Sequence, residues 1–276
     1  MIQIGVRAHD FGKQEPHDLF MQIADAGFEA IQLALPKAVA GVNSFDDVNL
    51  EVVNKVAKAL DDSGLKLAVL GCYLDLTTKD ESLMQKNLQT TEKILKVAKD
   101  LGAHCVASES TYGKVAAQDR KEYMERLISM VGKVLTMARS VNMPYALEPV
   151  FYHALASKEL FLQLAHSVGR DHLQVIYDPT NLMDPKYLDC QEQYIASCLA
   201  AFAPYADIIH IKDFKVNEDG SYSPCRLGDG SLQVETLRAY LAKCAQSNLY
   251  LIREELDPVN ASYEVKYLKE LLGHSC

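Results

Sequence analysis

The chain alternates short apolar runs with longer amphipathic segments, and this alternation constrains its fold more than any other feature. Eight runs have the length and the Val, Ile and Leu content of buried parallel strands. They are Ile2–Arg7, Glu29–Leu35, Leu65–Leu70, His104–Ser108, Tyr145–Val150, Leu173–Asp178, Asp207–Asp213 and Leu249–Glu254. Helical stretches with apolar residues at spacings of three and four lie between them, at Leu50–Leu60, Leu83–Leu101, Arg120–Val141 and Glu235–Gln246. Eight strand–helix units therefore predict an α/β protein with a parallel sheet.

The number of units favours a closed (β/α)8 TIM barrel that takes up residues 1–276 as a single domain. The alternative is a doubly wound open sheet, but no GxGxxG or GxxxxGK[ST] phosphate-binding loop follows any run. Asp80 and Ser231 are predicted to cap helix N-termini, while Gly27, Gly64 and Gly102 stand where helices should end.

Composition excludes several functions. The 28 Lys and Arg against 37 Asp and Glu give a net charge of -9, which disfavours a nucleic-acid partner. No apolar run approaches the ~20 residues of a membrane span, and the N-terminal residues do not resemble a signal peptide. The seven cysteines form no CxxC pair, so we expect reduced core thiols in a cytoplasmic protein.

Ionisable residues stand at the ends of the last four runs, where the mouth of a barrel should lie. They are Glu148, Asp178, His210 and Glu254. Burying such groups without a partner costs several kcal/mol. Each taken alone is more typical of a solvated loop carboxylate or a hydrogen-bonded core histidine. Together they predict one divalent metal ion, namely Mn2+, Mg2+, Co2+ or Zn2+, and the lack of thiolates argues against a structural zinc.

Strand eight offers two candidate ligands. Ile252 and Glu254 share one face of a strand, whereas Arg253 and Glu255 share the other. The residues alone therefore leave Glu254 and Glu255 both open as the ligand.

Five short motifs, in this order along the chain, resemble the xylose isomerase-like TIM barrel superfamily. They are Glu148-Pro149-Val150, Asp178-x-x-Asn181, His210-Ile211-Lys212-Asp213, Gly228-Asp229-Gly230 and Glu254. The resemblance covers nearly the whole chain. It is strongest to the sugar (or sugar phosphate) isomerases and epimerases, which include ketose 3-epimerases and inosose dehydratases.

The resemblance implies that the four residues hold one metal ion and that Glu148 and Glu254 are also the catalytic acid/base pair. The family pattern places the last ligand first after the apolar run, which favours Glu254 and leaves Glu255 at the rim or behind the ligands. The implied reaction is proton abstraction next to a carbonyl of a sugar or polyol, through a metal-stabilised enediolate. An inosose-type dehydratase, which goes on to expel a β-hydroxyl, uses the same site and remains an alternative.

The sequence departs from the family pattern at several expected substrate-binding positions. Ketose epimerases often have a Glu at the position of Gln32 in this chain, and many family members have a His at the position of Asn181. The His210-x-Lys212-Asp213 motif is closer to that of the dehydratases and sugar phosphate isomerases. Its Lys212 is expected to pair either with a phosphate or carboxylate of the substrate or with Asp213 or Glu109.

Two further residues are candidates for substrate contact. His153 reaches a substrate hydroxyl or is a surface loop residue. Arg7 faces the substrate or forms a salt bridge at the barrel rim.

Two other classes compete with an isomerase. Apurinic endonucleases share the barrel but need further histidines for three metals, where this chain has Asn181 and Cys72-Tyr73. A non-catalytic barrel should have lost at least one of the four polar residues. Apolar helix faces would permit a homo-oligomer.

Overall fold

Eight parallel strands close into a barrel in a computed structural model that describes residues 1–244 and 248–273. The barrel strands are β1 (Gln3–Arg7), β2 (Ala30–Leu33), β3 (Lys66–Gly71), β4 (Cys105–Glu109), β5 (Tyr145–Glu148), β6 (Leu173–Tyr177), β7 (Ile208–Ile211) and β10 (Tyr250–Arg253). Their order around the barrel is β1-β10-β7-β6-β5-β4-β3-β2. The predicted (β/α)8 barrel is therefore confirmed, and the open sheet is wrong.

Helices surround the barrel. They are α1 (Pro16–Asp25), α2 (Leu35–Ala38), α3 (Leu50–Ser63), α4 (Glu81–Asp100), α5 (Arg120–Val141), α6 (Lys158–Val168), α7 (Gln191–Phe202), α8 (Glu235–Lys243) and α9 (Ala261–Leu271). The four predicted helical stretches coincide with α3, α4, α5 and α8, except that Gln246 lies outside the described residues. Within the described part of the chain, no helix is long and apolar enough to cross a membrane.

The predicted helix boundaries are partly correct. The Asp80 carboxylate accepts hydrogen bonds from the first backbone N–H groups of α4, and Gly64 ends α3 with a left-handed φ of 71°. Ser231 is wrong as a cap, because α8 begins four residues later, at Glu235, and its N-cap residue Val234 makes no side-chain cap hydrogen bond. The N–H of Ser231 instead donates to the carbonyl of Phe214.

The barrel interior explains how the polar residues reach one point. A small apolar cluster fills the barrel with inward-facing side chains, among them Ala30, Ala146, Ile176, Ile208 and Ile252. Side chains alternate in direction along a strand, so the residue two positions later faces inward again. Those positions carry Gln32, Glu148, Asp178, His210 and Glu254. The apolar layer is thus the floor of a polar layer at the carboxyl ends of the strands.

One structural element was not predicted. An antiparallel hairpin of β8 (Asp213–Val216) and β9 (Tyr222–Cys225) follows β7 on the same side of the barrel as the polar layer. Its turn includes Gly220, whose φ of 78° suits glycine.

The cysteines follow the prediction only in part. Cys72, Cys105 and Cys198 are buried as expected, but Cys190 is exposed. It lies in a short 3-10 helix before α7, outside the packed layer. Cys276 lies outside the described residues.

Candidate metal centre

Four side chains meet at the carboxyl end of the barrel. Glu148, Asp178, His210 and Glu254 each offer one donor atom, and these atoms all lie within 4.8 Å of one another. Each residue is at most 5% exposed. The structure therefore brings together the four residues that the sequence singled out, with Glu254 rather than Glu255 in the cluster.

His210 is held in one orientation. Its Nε2 lies 2.7 Å from Oε1 of Gln32, a carbonyl oxygen that can only accept, so Nε2 carries a proton. Its Nδ1 lies 3.2 Å from a carboxylate oxygen of Glu148 and of Glu254. Burial lowers the pKa of His210, but the charges of Glu254 and Glu148 outweigh it and raise the pKa to about 9. Nδ1 therefore faces the carboxylates either with a proton or with its lone pair directed at a cation.

Asp178 keeps one oxygen free of hydrogen bonds. Its Oδ1 accepts from the backbone N–H groups of Thr180 (2.7 Å) and Asn181 (3.0 Å), which fixes the carboxylate. Its Oδ2 is buried and has no hydrogen-bond partner among the described residues. A buried oxygen of this kind normally has a partner, so it suits a cation at the centre of the cluster.

Lys212 contributes a buried positive charge to the cluster. Its Nζ lies 3.1 Å from Asp178 Oδ2, too poorly aligned for a hydrogen bond, and donates to Glu254 Oε2 at 3.1 Å. These carboxylates hold the pKa of Lys212 well above its usual range against the opposing effect of burial. Burial also opposes ionisation of Glu254, but His210, Lys212 and Arg7 hold its pKa well below its ordinary value. The expected pairing of Lys212 with Asp213 or Glu109 is wrong.

The Asp213 carboxylate is used elsewhere. It accepts backbone N–H bonds from Phe214 at 2.8 Å and from Gly228, Gly230 and Leu232 at 3.0 Å. A Cβ on Gly230 would collide with this carboxylate. The two sequence motifs Lys212-Asp213 and Gly228-Asp229-Gly230 therefore form one loop anchor beside the site.

A cavity of about 160 Å³ opens above the cluster. Its lining side chains are polar or charged, except for one valine: Arg7, His9, Lys37, Tyr73, Glu109, Val150, Tyr152, Asn181, Lys212, Glu254 and Glu255. Asn181 donates to Glu148 at 2.6 Å. Arg7 lies 3.9 Å from Glu254 and binds Asp10 at 2.8 Å, so it both forms the rim salt bridge and faces the cavity.

Two predicted substrate-binding residues lie behind this surface. Gln32 is buried, with its amide nitrogen donating to Tyr73 and Glu254 and its oxygen against His210. His153 is also buried rather than on a surface loop, with Nδ1 3.3 Å from Glu109. Burial lowers the pKa of His153 to about 4, so it is neutral at pH 7.

Sequence reasoning did not identify Glu109 as a site residue. It ends β4 in register with Glu148 and lines the cavity. Burial, followed by the charges of Glu148 and Glu254, raises the pKa of Glu109 to about 7. The sequence carries a signal for it, because Glu109 ends an apolar run just as Glu148 does, but the predicted run His104–Ser108 stops one residue short of it.

The geometry agrees with a comparison to known protein families. A sequence profile described as the xylose isomerase-like TIM barrel matches residues 20–271. The chain belongs to this family. No curated protein matches the chain in sequence.

Solved structures of similar fold include several that act on sugars. One is a D-psicose 3-epimerase from Clostridium cellulolyticum H10, with 15% identity, a TM-score of 0.76 and coverage of 98% of this chain and 99% of that one. Another is the 3-keto-D-glucoside 4-epimerase YcjR from E. coli, with 14% identity, a TM-score of 0.75 and coverage of 98% and 100%. A Mycobacterium smegmatis family member in complex with magnesium has 16% identity, a TM-score of 0.68 and coverage of 98% and 97%. At these identities the likeness establishes the fold.

Proposed function

We propose that this protein is a divalent-metal-dependent sugar isomerase or epimerase. The observation that carries the proposal is the set of four buried donors, mutually within 4.8 Å, beneath a polar cavity. Similar structures include two sugar epimerases and a magnesium complex, which supports the same assignment.

Glu148, Asp178, His210 and Glu254 would hold the ion. Three carboxylates and one imidazole suit a hard or borderline divalent cation, such as Mn2+, Mg2+, Co2+ or Zn2+. Oδ2 of Asp178, which accepts no hydrogen bond, and the fixed Nδ1 of His210 both fit that role. When bound, such an ion draws electron density from a substrate carbonyl and a neighbouring hydroxyl, which makes the adjacent C–H bond more acidic.

Glu148 and Glu254 are the proposed acid/base pair. Glu148 ends β5 and Glu254 directly follows β10, and β6 and β7 lie between these strands in the barrel, so the two carboxylates approach the site from separated positions. Asn181 orients Glu148, while Gln32 and Lys212 fix Glu254. Removal of a proton by one carboxylate and its return by the other to the opposite face would invert the carbon. Their fixed positions relative to the substrate reduce the entropic part of the barrier.

The cavity lining supports a hydroxylated substrate. Arg7, Asn181 and Lys212 face the cavity with hydrogen-bond donors, and the carboxylate of Glu109 adds an acceptor. Substrate contact by these residues, and by the more deeply placed Gln32 and His153, remains a prediction.

One observation favours a dehydratase as the second candidate. Glu109 lines the cavity with a pKa raised to about 7, so much of it carries a proton near neutral pH. A neutral carboxylic acid can donate that proton to a departing β-hydroxyl. The same first step, abstraction of a proton next to a carbonyl, would precede this loss of water.

The proposal is tested by hydrogen exchange in D2O. Protein loaded with Mg2+ is incubated with ketoses, ketose phosphates, inososes and keto-disaccharides, and NMR follows deuterium entering next to the carbonyl. We expect exchange that falls about 10²–10⁴-fold in Glu148→Gln and Glu254→Gln, whereas Glu270→Gln, a change on the exposed face of α9, exchanges at the wild-type rate. An epimer or isomer as product identifies the first function, and a dehydrated product identifies the second. No exchange with any compound would refute both.

A further inference from the structure

A second cavity adjoins the first. It has a volume of about 600 Å³ and lies between the loops after β4, β5 and β6 and the β8–β9 hairpin. Tyr152, Asn181, Lys212 and Glu255 line both cavities, so the two lie side by side at these residues. We call this second space the hairpin groove.

The sizes of the two cavities bear on the length of the substrate. Sites for small molecules usually measure about 300–1,000 Å³ and bury most of the ligand. The cavity over the metal centre, at about 160 Å³, is smaller than this range, whereas the hairpin groove at about 600 Å³ lies within it. A molecule that reaches the metal centre and is larger than the first cavity would therefore extend past Tyr152 toward the groove.

Tyr152 forms a rigid aromatic wall at the junction. The N–H of Val115 donates to the Tyr152 carbonyl at 2.8 Å, and the N–H of Phe151 donates to the Asn181 carbonyl at 2.8 Å. The Tyr152 ring packs edge to face on Phe151 and His153, at centroid distances of 5.0 and 4.8 Å. It nevertheless stays 36% exposed. An exposed ring that is already held in place can pack on the apolar face of a sugar ring with little further ordering.

The remaining walls combine apolar and polar groups. Phe151, Phe214 and Tyr222 supply aromatic surface, and Lys114 and Glu255 supply charged groups. Glu255 adopts a left-handed φ of 59°, which is uncommon for a residue other than glycine. Such backbone conformations concentrate at binding and catalytic sites. This conformation places the exposed carboxylate of Glu255 where both cavities meet.

We infer that the substrate is a two-ring glycoside: a keto sugar that reacts over the metal centre, joined to a second ring that occupies the hairpin groove against Tyr152. The inference rests on the proposed function for the reacting ring, but the groove itself is a separate binding site. Tyr152 thereby determines specificity, because it contacts the part of the substrate that a monosaccharide lacks.

Measuring sugar binding rather than turnover tests this inference independently of catalysis. Calorimetry on Mg2+-loaded protein would compare the Kd of D-fructose with those of keto-disaccharides of different linkage, such as turanose, isomaltulose and lactulose. We expect at least one disaccharide to bind roughly tenfold tighter than D-fructose, a ratio equivalent to about 1.4 kcal/mol. Tyr152→Ala should bring that ratio close to one, and Tyr152→Phe, which keeps the ring, should preserve it. Tyr222→Ala removes another aromatic residue that lines the groove and should also lower the ratio.

Other outcomes would overturn the inference. If no disaccharide binds tighter than D-fructose, or if the ratio survives Tyr152→Ala and Tyr222→Ala, the groove does not hold a second ring. If D-fructose 6-phosphate binds tighter than every disaccharide, the groove is an anion site instead. A failure of the proposed function appears differently, as tight disaccharide binding without deuterium exchange.

Discussion

The charge of Lys212 gives a quantitative test of the metal centre. Its buried Nζ lies 3.1 Å from carboxylate oxygens of both Asp178 and Glu254. Lys212→Met keeps an unbranched side chain of similar length but leaves the two carboxylates without their shared cation. Removing one partner of a buried ion pair costs about 3–5 kcal/mol. At about 2–4 °C per kcal/mol, Tm without metal should fall by roughly 6–20 °C.

A bound divalent ion should reduce this loss. The ion brings positive charge to the same carboxylates, so it replaces the compensation that Lys212 supplied. If about half of the penalty, roughly 2 kcal/mol, is relieved, the ion binds the variant about 30-fold tighter than the wild type.

The assay is thermal unfolding in EDTA and in MnCl2, together with Mn2+ titration of both proteins. Lys215→Met is the matched control, because Lys215 is exposed on β8, and its Tm should barely change. An equal loss of stability in Lys212→Met with and without Mn2+ would refute the electrostatic link between Lys212 and the metal centre.

Three further predictions concern the surroundings of the centre. In Asp213→Asn, the amide nitrogen would face two of the four backbone N–H donors, so the free energy of unfolding measured in urea should fall by about 3–6 kcal/mol. A fall of less than about 1 kcal/mol would contradict the role of Asp213 as a loop anchor. Since the pKa of Glu109 rises on folding from 4.5 to about 7, its neutral form is favoured and the free energy of unfolding without metal should fall as pH rises through that interval. The Glu109 side chain is 38% exposed, which weakens this pH dependence of stability. Glu109→Gln should remove the pH dependence, and an unchanged pH profile in that variant would exclude Glu109 as its cause. Gln32→Leu removes the hydrogen-bond acceptor for His210 and should weaken Mn2+ binding about 10–100-fold in a chelator competition, whereas Gln32→Glu retains an acceptor and should bind Mn2+ more tightly than Gln32→Leu. Equal Mn2+ affinities in the two variants would refute the role of Gln32 in orienting His210.

The barrel and the polar cluster could be predicted because both follow from periodicity. A period of two along each strand fixes which side chains face inward, and parallel strands bring their carboxyl ends to one face. Ile252 on β10 and Glu254 just after it illustrate this, since the same alternation places Ile252 inside the barrel and Glu254 in the cluster.

The partners of individual charges could not be predicted in this way. Asp213 is saturated by N–H groups that lie mostly 15 to 19 residues further along the chain. Lys212 pairs instead with carboxylates of the cluster, and the adjacency of Lys212 and Asp213 in the sequence does not reveal this pairing. The β8–β9 hairpin was missed for a related reason, because its short strands lie outside the barrel and lack the apolar character of the other runs.

The most direct test of the account is the metal content of the purified protein, measured by elemental analysis after incubation with Mn2+. We predict about one divalent ion per chain in the wild type and in Glu255→Gln, and its loss in His210→Ala and Glu254→Gln. No bound ion in the wild type, or the same content in all four proteins, would contradict the metal centre. About three zinc ions per chain would instead indicate an endonuclease-like site.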